Sequence, residues 1–203
     1  MIVIFIHLYS INSQNKIKHN LKRRRSNLKS LYLPLILFIL LVFESTAVRF
    51  LPESIMSNNL FYIPHWILIF SLLILLFYDQ AHTYHGLING IVFGLLVDLV
   101  YTDLLGIYFL AYGVSLYLVH LFKKVLQQNF FVTLLLGLVV IVSVEFILFT
   151  LYTIVGQIDM AMNEFIQDRL IPTTLINLLF LLIIYPFFSK LLLKWQEQDL
   201  QIK

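Results

Sequence analysis

The chain has 203 residues, of which 60% are hydrophobic and 12% are charged, and its formal net charge is +3. Soluble domains have about 25% charged residues, so this sequence has too little polar surface to cover a water-facing globule. It has no cysteine, which excludes disulfide frameworks, cysteine-ligated metals and cysteine nucleophiles. The composition therefore predicts an integral membrane protein.

The first 30 residues differ from the rest of the chain. A short apolar stretch over residues 1–11 precedes a basic run over residues 16–29, whereas a signal peptide has its positive charge first. We interpret residues 1–30 as a basic cytoplasmic tail, with a start codon assigned too far upstream as the alternative. Anionic lipid is favoured over nucleic acid as the partner of the basic run.

Six apolar segments follow, each close to the roughly 20 residues that a helix needs to cross a bilayer. Their apolar runs do not alternate as those of strands do. The segments cover residues 31–51, 61–78, 84–101, 104–122, 130–156 and 170–189. The predicted fold class is an all-α integral membrane protein, with a six-helix transmembrane domain over residues 31–195 and a cytoplasmic C-terminal tail over residues 196–203.

The connections between the segments are short. Thr102 and Asp103 form the turn between the third and fourth segments. The longest outer connection is a polar loop over residues 157–169, which ends at Arg169 and is followed by Pro172. Proline is tolerated at the start of a helix because its missing N–H is not needed there.

Lysine and arginine residues fix the predicted orientation. With the N-terminus inside, seven of them lie in the tail, two follow the fourth segment and three lie at the C-terminus. Only Arg49 and Arg169 then lie outside. The positive-inside rule therefore predicts a multi-pass protein of the cytoplasmic membrane with both termini in the cytoplasm.

Three carboxylates lie within the apolar segments: Glu44, Asp98 and Glu145. A rise of about 1.5 Å per residue places all three in the outer half of the bilayer. They could form an ion or proton path or a docking site for a partner helix. We favour a structural role, in which each is a neutral carboxyl bonded to a neighbouring helix or a partner of Arg49 or Arg169. On this view, neutral amides at these positions should largely preserve function.

The third segment carries the most specific pattern, in which Gly86, Gly90, Gly94 and Asp98 recur at every fourth residue. This spacing advances about 40° per step on a 3.6-residue helix and forms one slowly winding stripe. Glycines on such a stripe let another helix approach closely. We favour packing within the protein over a seam for a different chain.

No catalytic, cofactor or metal site is predicted. His82, His85 and His120 fall near the cytoplasmic ends of the third and fourth segments, and His65 lies near the outer face. A three-histidine site is the alternative, but the sequence lacks the H-E-x-x-H spacing, so we interpret these residues as interfacial histidines. Phosphate-binding glycine motifs and the G-x-S-x-G nucleophile motif are also absent from the sequence.

Taken together, these features resemble the bacterial rod shape-determining protein MreD family over about residues 31–195. The motifs that carry the resemblance occur in the family's order: Phe43, Glu44 and Ser45; Gly86 to Asp98 followed by Tyr101, Thr102, Asp103, Leu104, Leu105, Gly106, Ile107 and Tyr108; Glu145 and Phe146; and Asp168, Arg169, Leu170, Ile171, Pro172 and Thr173 leading to Asn177. The tail over residues 1–30 is longer than is usual in the family.

The resemblance implies a non-enzymatic scaffold subunit of the complex that builds the cell wall in rod-shaped bacteria. Its implied partners are an MreC-like single-span membrane protein and, indirectly, an MreB-like filament, RodA and a class B penicillin-binding protein. It also implies a fold similar to the substrate-binding subunits of energy-coupling-factor transporters. A small-solute-binding transporter subunit is therefore the alternative, and an intramembrane enzyme is a third hypothesis without a supporting group of residues.

Overall fold

The computed structural model describes residues 31–44, 46, 60–80, 82–123 and 129–200. The basic tail over residues 1–30, Arg49 and Lys124 lie outside the described residues. Within the described part, the secondary structure is helical and contains no strand. The predicted all-α fold class is therefore confirmed.

The described part of the chain contains six helices, one in each predicted segment. They are α1 (Leu31–Glu44), α2 (Trp66–Tyr78), α3 (His85–Tyr101), α4 (Ile107–Lys123), α5 (Phe130–Ile154) and α6 (Met162–Leu200). By length and composition, α5 and α6 are long and apolar enough to cross a membrane, whereas the other four helices are shorter.

The predicted outer loop over residues 157–169 was wrong in its second half. Helix α6 begins at Met162 and passes through a π-helical stretch, Phe165–Leu170, before its long α-helical part, Ile171–Leu200. Pro172 consequently lies inside a continuous helical run, at the second residue of that α-helical part. The polar residues of the predicted loop gave no sign of this, because a solvent-facing helical turn and a loop have similar compositions.

Helix α2 forms the centre of the bundle. All of its residues from Ile67 to Tyr78 are buried, and it contacts α3, α4 and α6. A helix that is apolar on every side is stable when other helices surround it. The outer helices instead expose apolar stripes, such as Leu175, Leu179, Ile183 and Phe187 on α6, each 56–66% exposed. These stripes form the apolar surface that a lipid environment favours.

The glycine stripe of α3 lies against α2 and α4. A Cβ atom at Gly86 would lie 2.5 Å from the backbone nitrogen of Leu75, and one at Gly94 would lie 2.9 Å from the carbonyl oxygen of Tyr108. Gly90 lies against the side chains of Leu116 and Ser71. The close neighbours of this stripe are therefore helices of the same chain.

Alanine at Gly86 or Gly94 should destabilise the protein by about 1–3 kcal/mol, because the obstructing atoms belong to the backbone and cannot move aside. Helix propensity acts in the opposite direction, since alanine is better than glycine in a helix by about 1 kcal/mol. The matched control is Gly113→Ala, whose Cβ would first meet the flexible side chain of Ile91, at 3.2 Å. Thermal unfolding midpoints in detergent would measure the difference, and an equal rise for all three variants would contradict the close approach.

A lysine joins α4 to the end of α2. The last turns of α2, Ile74–Tyr78, are π-helical, and the Lys123 ammonium donates hydrogen bonds to the carbonyl groups of Leu75 and Asp79. The Asp79 carboxylate accepts the backbone N–H groups of His85 and Gly86 at the start of α3, each at 2.8 Å. Lys123 therefore has a structural role beyond its contribution to the predicted charge asymmetry.

Candidate functional site

Two of the three carboxylates in the apolar segments bind the first turns of other helices. The Glu44 Oε2 atom, at the end of α1, accepts the backbone N–H of Ile67 in the first turn of α2, at 3.1 Å. The first N–H groups of a helix have no partner within the helix, and hydrocarbon offers no water to satisfy them. Glu44 thus supplies α2 with an acceptor from a different helix.

Asp98 does the same for α4 and is fully buried. Its Oδ1 atom accepts the N–H of Tyr108 at 2.9 Å, and its Oδ2 atom accepts those of Gly106 and Phe109, both at 3.0 Å. Gly106 has φ of 97°, a conformation that glycine adopts without strain and that turns its N–H toward the carboxylate. All three partners are N–H donors, so Asp98 acts as a pure acceptor that closes the turn between α3 and α4.

Glu145 has a different position, at the centre of a buried polar cluster. Its Oε2 atom accepts the Arg169 Nε–H at 2.8 Å, and its Oε1 atom lies 2.7 Å from the His65 Nε2 atom. The Tyr112 hydroxyl lies 3.2 Å from the other ring nitrogen of His65. We call His65, Tyr112, Glu145 and Arg169 the polar core. The pairing of Glu145 with Arg169 was one of the alternatives left open by the sequence.

The histidine, tyrosine and glutamate of the polar core resemble a proton relay in their order but are closed to solvent. His65, Tyr112 and Glu145 each have 0% of their surface exposed, and Arg169 has 8%. A substrate therefore cannot reach the hydroxyl or the imidazole in this conformation. The sequence predicted an interfacial histidine at position 65, and the structure adds that Glu145 and Tyr112 lie within hydrogen-bond distance of its two ring nitrogens inside the bundle.

The residues before α2 form an extended segment along α6. The Thr173 hydroxyl accepts the Ile63 N–H at 3.2 Å and donates to the Phe61 carbonyl at 3.1 Å. One turn later, the Asn177 Oδ1 atom accepts the His65 N–H at 2.7 Å. The Asn177 amide donates in turn to the Ile63 carbonyl at 2.8 Å. Side chains of α6 thus take the place of a neighbouring strand and position His65 for the polar core.

Pro172 completes this attachment. A helical residue at position 172 would normally donate its N–H to the carbonyl of Asp168, but proline has no N–H. The Asp168 carbonyl instead accepts the Phe61 N–H at 2.7 Å. Pro172 therefore frees an acceptor that binds the extended segment, a role that the sequence interpretation of a helix-start proline did not include.

A cavity of about 350 Å³ lies beside the polar core. Its wall is formed by the α3–α4 turn, the α5–α6 connection and parts of the extended segment and α6. The lining residues are Ile63, Tyr101, Thr102, Asp103, Leu104, Tyr108, Tyr152, Gln157, Ile158 and Arg169. Arg169 is thus shared between the buried pair with Glu145 and the cavity.

Histidine and acidic side chains of the described part do not form a group of three or more that could hold a metal ion. His82 is exposed, whereas His85 hydrogen-bonds Asp79 at 2.9 Å and His120 is buried. These positions leave the polar core and its cavity as the candidate site.

The comparisons with known proteins agree with one another. A family profile described as rod shape-determining protein MreD matches residues 29–195. The chain is also similar to the rod shape-determining protein MreD of Bacillus subtilis (strain 168), with 29% identity over 161 residues that cover 79% of this chain and 92% of the relative. No solved structure matches the chain.

Proposed function

Because the chain belongs to the MreD family of rod shape-determining proteins, we propose that it is a non-enzymatic membrane scaffold of the bacterial cell-wall elongation complex. In this role it binds an MreC-like single-span protein and, through it, acts with an MreB-like filament, RodA and a class B penicillin-binding protein. The family match over residues 29–195 is the observation that carries the proposal.

The contacts of the carboxylates support a scaffold. Glu44 and Asp98 bond to the starts of α2 and α4, and Glu145 bonds to His65 and Arg169. Such groups are expensive in a membrane and are retained when they have partners. Each of the three carboxylates therefore has a structural role, and this role accounts for its presence without transport or catalysis.

The proposed topology has six spans with both termini in the cytoplasm. Arg169 and the α3–α4 turn line the same cavity. The Lys123 ammonium instead donates a hydrogen bond to the carbonyl of Asp79, the residue that follows the C-terminal end of α2. The chain has no cysteine, so single cysteines can report accessibility. Asn163→Cys should react with an impermeant thiol reagent in intact cells, whereas Glu197→Cys should react only after lysis. Labelling of position 197 in intact cells would reverse the orientation.

Depletion of the protein in its host tests the proposed function. We expect rod-shaped cells to become round, and we expect the tagged chain to co-purify with an MreC-like single-span protein from solubilised membranes. A tagged polytopic protein of unrelated function from the same host is the control for non-specific capture. Cells that stay rod-shaped after complete depletion would contradict the proposal.

The transporter alternative is favoured by one observation, the cavity of about 350 Å³ beside Arg169. A solute-binding subunit needs such a cavity, but six-helix folds host unrelated functions. The same purification separates the two hypotheses. Co-purification with a pair of ATPases in place of an MreC-like protein would favour the transporter.

A further inference from the structure

The cavity beside the polar core has a net negative charge. Arg169 is the one cationic side chain among its described lining residues. The Arg169 charge is already balanced by Glu145, which is fully buried and accepts the Arg169 Nε–H at 2.8 Å. Asp103 adds an exposed carboxylate to the wall, and the ion pairs among the described residues do not include it. The lining therefore leaves one negative charge unbalanced and favours a cationic ligand.

The rest of the wall fits a long side chain with a charged end. Leu104 and Ile158 provide apolar surface, and Tyr101, Tyr108 and Tyr152 add aromatic side chains. Lysine and arginine bury their aliphatic stems along apolar surface and keep their charged ends in a polar environment. A cation is also attracted to the face of a tyrosine ring. The volume of about 350 Å³ lies at the lower end of the range for small-molecule pockets, about 300–1,000 Å³, so it has room for one side chain but not for a helix.

The surface around the cavity is acidic over a wider area than one small cation needs. Asp159 and Glu164 are both exposed, and Asp159 directly follows Ile158 of the cavity wall. Arg169 is the only lysine or arginine between residues 125 and 189, and the α3–α4 turn contains none. A surface with several carboxylates and no free basic side chain in these segments is complementary to a basic segment of another polypeptide.

We propose that this cavity receives a lysine or arginine side chain from the outer part of the single-span partner. The charged end of that side chain lies beside the exposed Asp103 carboxylate rather than beside Arg169, which is only 8% exposed. Its aliphatic stem packs against Leu104 and Ile158 in the cavity wall. The inference rests on the proposed function, because it names the surface through which the scaffold holds its partner.

Charge reversal at Asp103 tests the site with the tagged full chain, by measuring how much MreC-like protein it captures from solubilised membranes of the host. Asp103→Lys should reduce capture at least about tenfold, because it places like charges together at the interface. Asp103→Asn only removes the charge and should reduce capture about two- to fivefold, the effect of one exposed ion pair. Glu197→Lys is the matched control, because it makes the same change of charge at an exposed residue that does not line the cavity, so its capture should be unchanged.

Two further experiments locate the contact in the cavity. Ile158→Trp places a bulky side chain in the space that the partner needs and should reduce capture at least about fivefold. Ile154→Trp is its matched control, because Ile154 is 76% exposed and does not line the cavity, so its capture should be unchanged. Aspartate in place of the inserted lysine or arginine of the partner should restore capture by Asp103→Lys but not by Ile158→Trp, since it reverses the charge and does not reopen the cavity.

The outcomes separate this site from the proposed function. A wild-type chain that captures no MreC-like protein would contradict the scaffold and the site with it. Normal capture by the wild type, with equal capture by Asp103→Lys and Ile158→Trp, would overturn the site and leave the scaffold in place. The site would also be overturned if aspartate, placed in turn at each lysine and arginine of the partner's outer part, never restored capture by Asp103→Lys.

Discussion

Replacement of Glu145 by glutamine should reduce the stability of the protein by about 3–5 kcal/mol, because it removes one partner of a buried ion pair. Glutamine can still accept a hydrogen bond from the His65 Nε2 atom. Most of the lost stability should therefore come from the Arg169 guanidinium, which no longer has a carboxylate partner. Folded proteins are stable by only about 5–15 kcal/mol, so a loss of this size should also lower the amount of protein in the membrane.

A double-mutant cycle separates the ion pair from other effects of the substitution. Arg169→Met removes the charge and keeps a long apolar side chain, and the variant with both Glu145→Gln and Arg169→Met contains neither charge. We expect the double variant to be markedly more stable than Glu145→Gln alone, since a pair of apolar or neutral residues often replaces a buried ion pair without loss. Stability losses that simply add would show that the two side chains do not interact.

The same variants address function. If the protein is a scaffold, cell shape should follow the amount of folded protein, and the double variant should restore the rod shape that Glu145→Gln loses. A proton-coupled function predicts the opposite, because the double variant lacks the titratable group. A double variant that is present at the wild-type level but fails to restore rods would contradict the scaffold proposal.

The positions of the helices could be predicted from the sequence because they follow from apolar runs of near-constant length. Residues 61–78 show the limit of this reasoning. The apolar run was interpreted as helical from Phe61, but the helix begins at Trp66. Pro64 was the signal that this interpretation missed, because a proline disfavours the helical conformation of the residue that precedes it. What the extended residues bind could not be predicted, because Thr173 and Asn177 lie more than 100 residues away.

The roles of the polar residues were harder to predict for a similar reason. A carboxylate in an apolar segment is unfavourable without a partner, so the sequence alone predicts that Glu44, Asp98 and Glu145 are each bonded to another group. The identity of the partner depends on which helices are adjacent. Asp98 bonds to backbone N–H groups that exist at the start of every helix, so no residue type in the sequence marks them. His65 appeared interfacial by its position near a segment end, and only the packing of α2 at the centre buries it.

The geometry also changes what is expected of the neutral amides. From the sequence, asparagine at position 98 should largely replace aspartate by hydrogen bonding to a neighbouring helix. In the structure, both carboxylate oxygens accept, and all three partners are N–H donors. Asparagine has one acceptor oxygen, and its amide hydrogens would face an N–H donor. It therefore cannot reproduce the set of bonds that Asp98 makes.

Asp98→Asn should accordingly lower stability by about 1.5–3 kcal/mol, the value of one hydrogen bond to a charged group. Asp98→Ala leaves all three N–H groups without an acceptor at a site that is fully buried, so its loss should be larger than that of Asp98→Asn. Asp103→Asn is the matched control, because Asp103 lies in the same turn but is exposed, and its stability should be unchanged. Unfolding midpoints in detergent at fixed protein concentration would give the order of the variants. Equal stability of Asp98→Asn and the wild type would mean that one oxygen is enough to start α4, and that the charge of Asp98 has no part in closing the turn.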